Sequence, residues 1–159
     1  MLINAMLAKV LRFGFTAVLL LCSGSVVAAE QAGGADFELG KRLVTQVFQY
    51  MKDRNTVDIE KITSPAFQSI HQDGAIGKKE EMDLIKNLHL KEYFLDDFKV
   101  TRYDNSLVVS YSFTGGEIIS GKYVASKSSM RLDCFLKVKD SWQWLAHVNT
   151  VLINNSCDY

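Results

Sequence analysis

The chain has 159 residues, 48% of them hydrophobic and 23% charged, with 18 basic residues balanced by 18 acidic ones. That is the composition of a single globular domain. It carries no Lys/Arg run and no excess of cations, which excludes a nucleic-acid binder that works by displacing counterions from phosphates. Its cysteines and histidines match no zinc spacing, so neither a metal nor an organic cofactor is expected.

Residues 1–29 have the pattern of a signal peptide. Lys9 and Arg12 come early, an apolar run from Phe13 to Cys22 follows, and Val27-Ala28-Ala29 supplies a small-x-small cleavage site before Glu30. The apolar run is roughly half of what a membrane-spanning helix needs, so no stable insertion is expected after cleavage. Without these residues, 16 basic side chains face 18 acidic ones, a net charge of −2. The mature protein is then periplasmic or secreted, a setting in which disulfides persist. Residues 30–36, EQAGGAD, read as a flexible leader.

From Phe37 the pattern is helical, with Phe37, Val44, Val47, Phe48 and Met51 on one face. It ends near Arg54-Asn55. Thr56 then looks like the N-cap of a short helix carrying Val57, Ile59 and Ile62, which Pro65 stops. AFQSIHQDG alternates mildly and reads as a strand, and Gly74 and Gly77 mark a turn. KKEEMDLIKNLHL returns to helical spacing through Met82, Ile85 and Leu88. After Tyr93 strands take over. FKVTRY, LVVSYSF, MRLDCFLKV and WQWLAHVNTVLI are separated by DNS, by Gly115-Gly116 with a ragged EIISGKYVASKSS, and by KDS. Helices first and strands later argue for an α+β domain, residues 37–153, with its helices packed on a strongly curved, mostly antiparallel sheet. Residues 154–159 form a polar tail, in which Asn154-Asn155-Ser156 is a glycosylation acceptor only in a eukaryotic secretory pathway.

Three stretches carry a family resemblance. They are the first helix leading into NTVDIEKITSPAF, the turn-to-helix segment IHQDGAIGKKEEM, and RLDCFLKVKDSWQWLAHVNT. In this order and spacing the chain, over roughly residues 37–152, resembles the cone-shaped nuclear transport factor 2-like superfamily and in particular its SnoaL-like secreted branch. The resemblance implies a bent sheet wrapped round the helices to leave a conical cavity, and a homodimer paired through the outer sheet face. The superfamily includes isomerases, dehydratases, cyclases and a kinase association domain, so the fold permits function without choosing it. Counting back from Gly74, the general-base aspartate of ketosteroid isomerase falls on His71. The oxyanion-hole tyrosine falls on Val47, with Tyr50 one helical turn along. The second oxyanion group falls near Asp133. Steroid isomerisation itself is not expected.

The polar residues themselves allow two readings. His71 and Asp73 share a strand face, as a base with its orienting carboxylate or as a turn aspartate beside a half-exposed histidine. Arg131 and Asp133 also share a face. They form either an anchor for a ligand carboxylate or an exposed pair. His147 and Asn149 share a face of the last strand, opposite Trp144, Ala146, Val148 and Thr150. Tyr111 and Trp144 line a cavity or fill the core. His89 reads as surface on the third helix. Cys134 alternates within a strand, and whether it bridges to Cys157 is left open by sequence. The expected function is an exported domain that binds a small apolar or carbonyl-bearing ligand, with cryptic acid/base activity of isomerase, dehydratase or cyclase type. In that case His71 and Asp73 are catalytic, and Tyr50, Tyr111, Arg131, Asp133, Trp144, His147 and Asn149 bind the ligand. The alternative is a non-catalytic dimeric protein-interaction scaffold.

Overall fold

The computed structural model describes residues 33–119 and 122–149. The expected signal peptide and cleavage site, Thr150, the polar tail and Cys157 with its possible bridge lie outside them. Three helices pack on one six-stranded sheet, the α+β architecture that the order of helices and strands implies. In chain order these are α1 (Gly34–Lys52), α2 (Thr56–Ile62), β1 (Thr63–His71), β2 (Gly74–Gly77), α3 (Lys78–Lys86), β3 (Leu88–Tyr103), β4 (Ser106–Ile119), β5 (Lys122–Val138) and β6 (Ser141–Asn149). The strand order is β2-β1-β6-β5-β4-β3. All neighbours are antiparallel except β1 and β6, which run parallel. No helix among the described residues is long and apolar enough to cross a membrane.

Several boundaries differ from the sequence expectation. α1 begins at Gly34, inside the expected leader. The cap of α2 is Asn55 rather than Thr56, because its side-chain oxygen accepts the backbone N–H of Asp58 at 3.2 Å. Gly74–Gly77 is more than a turn: it is a short strand closing a hairpin on β1. α3 stops at Lys86, so Leu88-His89-Leu90 belongs to β3 and His89 is an exposed strand residue. Gly115-Gly116 does not end β4. The strand runs through a register shift between Phe113 and Gly115. Glycine is required there, since a Cβ on Gly115 would lie 2.9 Å from the Cβ of Tyr93 on β3 and 3.0 Å from the carbonyl oxygen of Glu92.

The core lies between the inner face of the sheet and the helices. α1 contributes Val44, Val47, Phe48 and Met51, and β4 contributes Leu107, Val109, Tyr111 and Phe113, all buried. Gly40 lets α1 approach the sheet: a Cβ there would meet both γ-carbons of Val100, at 2.8 and 2.9 Å.

Candidate functional site

Strand register brings the polar residues into two adjacent rows. Ser69 of β1, His147 of β6, Asp133 of β5 and Val109 of β4 are successive cross-strand partners. In the next row Tyr111, Arg131 and Asn149 are partners in the same way. Residues two apart share a strand face, so Ser69 with His71, Arg131 with Asp133 and His147 with Asn149 all belong to the inner face. Ser69, Arg131, Asp133 and His147 are buried, while their strand neighbours Ile70, Met130 and Val108 point outward. The alternation in MRLDCFLKV therefore places its polar members inside and most of its apolar ones outside.

Asp133 is fully buried and is the acceptor for three donors. Trp144 Nε1 and His147 Nδ1 reach Oδ1 at 2.7 and 2.8 Å, and the Tyr111 hydroxyl reaches Oδ2 at 2.7 Å. An ionised carboxylate oxygen can only accept, so each of its partners must donate. The consistent tautomer therefore has the His147 hydrogen on Nδ1, and Nε2 is left as the ring atom that can take a proton. Trp144 and His147 are three positions apart yet both buried, because β6 is irregular where it pairs with Cys134 and Phe135. That irregularity shifts the strand's facing, so Trp144 joins His147 on the inner side instead of standing opposite it.

A second buried carboxylate lies on α3. Glu81, 2% exposed, sits in the N-terminal half of α3 and accepts the Ser69 hydroxyl at 2.7 Å and His71 Nε2 at 2.8 Å, both on Oε2. Burial alone would push the Glu81 carboxyl upward. The hydrogen bonds from His71 and Ser69, together with the charges that His147 and His71 carry when protonated, outweigh it and hold the group below the usual glutamate value. His71 shifts the other way, above the ordinary histidine value. The Glu81 hydrogen bond is the largest cause, opposed by burial and by the Arg131 charge and helped by the charges of Glu81 and Asp73. The two imidazole rings lie 5.8 Å apart.

Both rings border a cavity of about 50 Å³, which is also lined by Glu81, Arg131 and Asn149 and by the apolar side chains of Met51, Leu84, Ile85 and Leu88. One ordered water needs roughly 10–15 Å³ on this measure, so the space suits a group of about four heavy atoms. Drug-sized ligands occupy several hundred Å³. The guanidinium of Arg131 lies flat on the core, its central carbon 3.7 Å from the Phe113 ring centroid and 5.6 Å from that of Phe48.

The residues singled out from sequence divide clearly. His71, Arg131, His147 and Asn149 meet at the cavity, and Asp133 stands directly behind His147. Asp73 does not hold His71. It is exposed in the hairpin turn, and the carboxylate on the imidazole is Glu81. Tyr50 lies away from the cavity on the outer side of α1, where its hydroxyl accepts from Gln46 at 2.8 Å. Tyr111 and Trp144 are core residues whose polar atoms position Asp133. Sequence reasoning missed Glu81 and Ser69. A signal for Glu81 was present: it precedes Ile85 and Leu88 at helical spacing, on the apolar side of α3, whereas Glu80 does not. Among the described residues no cluster of three or more His, Cys, Asp or Glu is arranged to hold a metal ion.

No protein-family model matches the sequence, and no curated protein matches it either. Solved structures do. An NTF2-like protein from Cytophaga hutchinsonii superposes with a TM-score of 0.67 at 12% identity, over 76% of this chain and 100% of the other. A candidate Ca/calmodulin-dependent kinase II association domain from Exiguobacterium sibiricum gives 0.66 at 13% identity, over 77% and 96%. A candidate dehydratase of the NTF2-like family from Streptomyces avermitilis gives 0.63 at 15% identity, over 75% and 97%. At such identities the likeness concerns the backbone alone, and on that ground the chain has the NTF2-like α+β fold.

Proposed function

We propose that this protein is an exported small-molecule-binding domain whose cavity performs acid–base chemistry on a small carbonyl compound. One observation carries the reading: two imidazoles, each held by its own buried carboxylate, border the same cavity as a buried guanidinium. Paired titratable groups in different settings mark acid and base. His147, oriented by Asp133 through Nδ1, is the base. Its Nε2 takes a proton from the carbon next to the carbonyl, the C–H electron pair moves into an enolate, and the negative charge forms on oxygen. His71, kept toward its protonated form by Glu81, is the acid, and Arg131 stabilises the enolate oxygen. These roles replace the His71–Asp73 pairing expected from sequence. Export is supported by the charge and hydropathy pattern of residues 1–29, and a SnoaL-like relationship by the three segments that carry the resemblance. The candidate dehydratase among the structural neighbours fits the same chemistry.

The test is hydrogen–deuterium exchange at the α-carbon of acetone, followed by NMR. The wild-type protein should accelerate it, and His147→Gln should reduce the acceleration by about 10²-fold or more. Equal rates for wild type, variant and buffer would remove the catalytic reading.

A second reading, a dimeric interaction scaffold, is favoured by the solid packing of Trp144, Tyr111 and Phe48 in the middle of the domain. The outer sheet face supports it too, with Ile70, Val148 and Leu132 paired in one row and Val108 and Met130 exposed nearby. An association domain is among the structural neighbours. Native mass spectrometry of the exported protein distinguishes the two, since a bound small molecule fits the first and a ligand-free dimer fits the second.

A further inference from the structure

We infer that the cavity takes up small monocarboxylates as an anion together with one proton, which makes such acids pH-dependent competitors at this site. The inference rests on the reading of the cavity as a ligand site, and it follows from the charges the fold collects there. Two carboxylates, Glu81 on α3 and Asp133 on β5, are buried within hydrogen-bonding distance of the two imidazoles. One guanidinium, Arg131 on β5, borders the same space, and Asp73 acts on His71 from the hairpin turn. No other described charged residue borders the cavity.

With His71 charged and His147 neutral, the four inner groups sum to zero: Arg131 and His71 balance Asp133 and Glu81. A carboxylate entering this space would leave one uncompensated negative charge in a half-enclosed, poorly solvated site, which is costly. His147 removes that charge by accepting a proton on Nε2, which breaks neither imidazole–carboxylate hydrogen bond; entry of the acid already protonated would give the same uptake but would survive loss of His147. The resulting state, imidazolium beside an anion, has the charge distribution of the imidazolium–enolate pair formed by proton abstraction. A site suited to one therefore suits the other. Size restricts the acid: a volume of about 50 Å³ accepts a carboxylate with one or two carbons and rejects long chains.

The probes are acetate and its neutral isostere acetamide, titrated into the full exported protein. Two readouts are followed: the imidazole NMR resonances of His71 and His147, and calorimetry in two buffers of different ionisation enthalpy. Acetate should bind with uptake of about one proton, its affinity falling about tenfold per pH unit over the range where His71 stays protonated. Acetamide should bind more weakly and without pH dependence. In His147→Gln the proton uptake should disappear, with folding checked by circular dichroism. His147→Asn serves in its place if that variant is unfolded. Acetate binding at equal strength from about pH 6 to pH 8, with no proton uptake, overturns the inference and leaves the ligand site standing. If neither compound moves the two histidine resonances, the ligand site falls as well.

Discussion

At the scale of single residues, the site depends on two charged groups that could not be buried alone. Glu81 is buried where α3 meets β1, and among the described residues His71 is the one basic side chain hydrogen-bonded to it. This has a pH consequence with a definite sign. The folded value of His71 is raised above the unfolded one, so its contribution to stability is full below about pH 6.5 and fades as pH rises through the folded value. Glu81 is lowered, so its contribution is present above the usual glutamate value and is lost only as pH falls through its folded one. Thermal unfolding of wild type and His71→Gln should therefore differ most near about pH 5.5, by about 1–2 kcal/mol. The two should converge toward about pH 9, and a gap that widens with pH would contradict the pairing. This residue-level arrangement was only partly legible in the sequence. His71, Arg131 and His147 could be singled out because imidazole and guanidinium are uncommon within apolar alternation. The partner of His71 could not, because the candidate two residues away competes with one ten residues away that only folding brings close. Asp73 stands exposed in the turn, and Glu81 satisfies the histidine.

At the scale of elements, the fit of α1 on the sheet is the tightest constraint. Gly40→Ala would improve intrinsic helix propensity by roughly 1 kcal/mol. It would also drive a methyl group into both γ-carbons of Val100 and to within 3.0 Å of Val109. Overpacking of this kind costs about 1–3 kcal/mol, so a net loss of about 1 kcal/mol is expected in urea unfolding. A gain in stability would show that α1 can lift off the sheet without cost. The helices and the alternating strands were readable because their apolar spacing follows 3.6 and 2 residues directly. What was not readable was length. β3 starts at Leu88 and β4 runs past Gly115 because each supplies the other's hydrogen bonds across a register shift. Glycines that look like breaks in one strand are, in the pair, the places where a neighbour's backbone or ring comes close.

For the whole molecule, the sheet has one helix-covered face and one open face. The row Ile70–Val148–Leu132 and the exposed side chains of Val108 and Met130 make that open face apolar. Under the proposed dimer, Leu132→Glu should convert the protein to a monomer in light scattering while leaving its circular dichroism unchanged, and a variant still dimeric would place the interface elsewhere. The parallel pairing of β1 with β6 has a consequence for how the protein is made. The final described strand is wedged in the middle of the sheet, so a growing chain short of it holds two unjoined sheets, β2-β1 and β5-β4-β3. Ser69 then has no His147 beside it, and Asp133 lacks two of its three donors. The nascent polypeptide thus stays open until β6 has been made, and the closing contact spans most of the domain, which makes folding slow. Under the proposed export, that delay in strand order would keep the chain open when it meets a translocation pore.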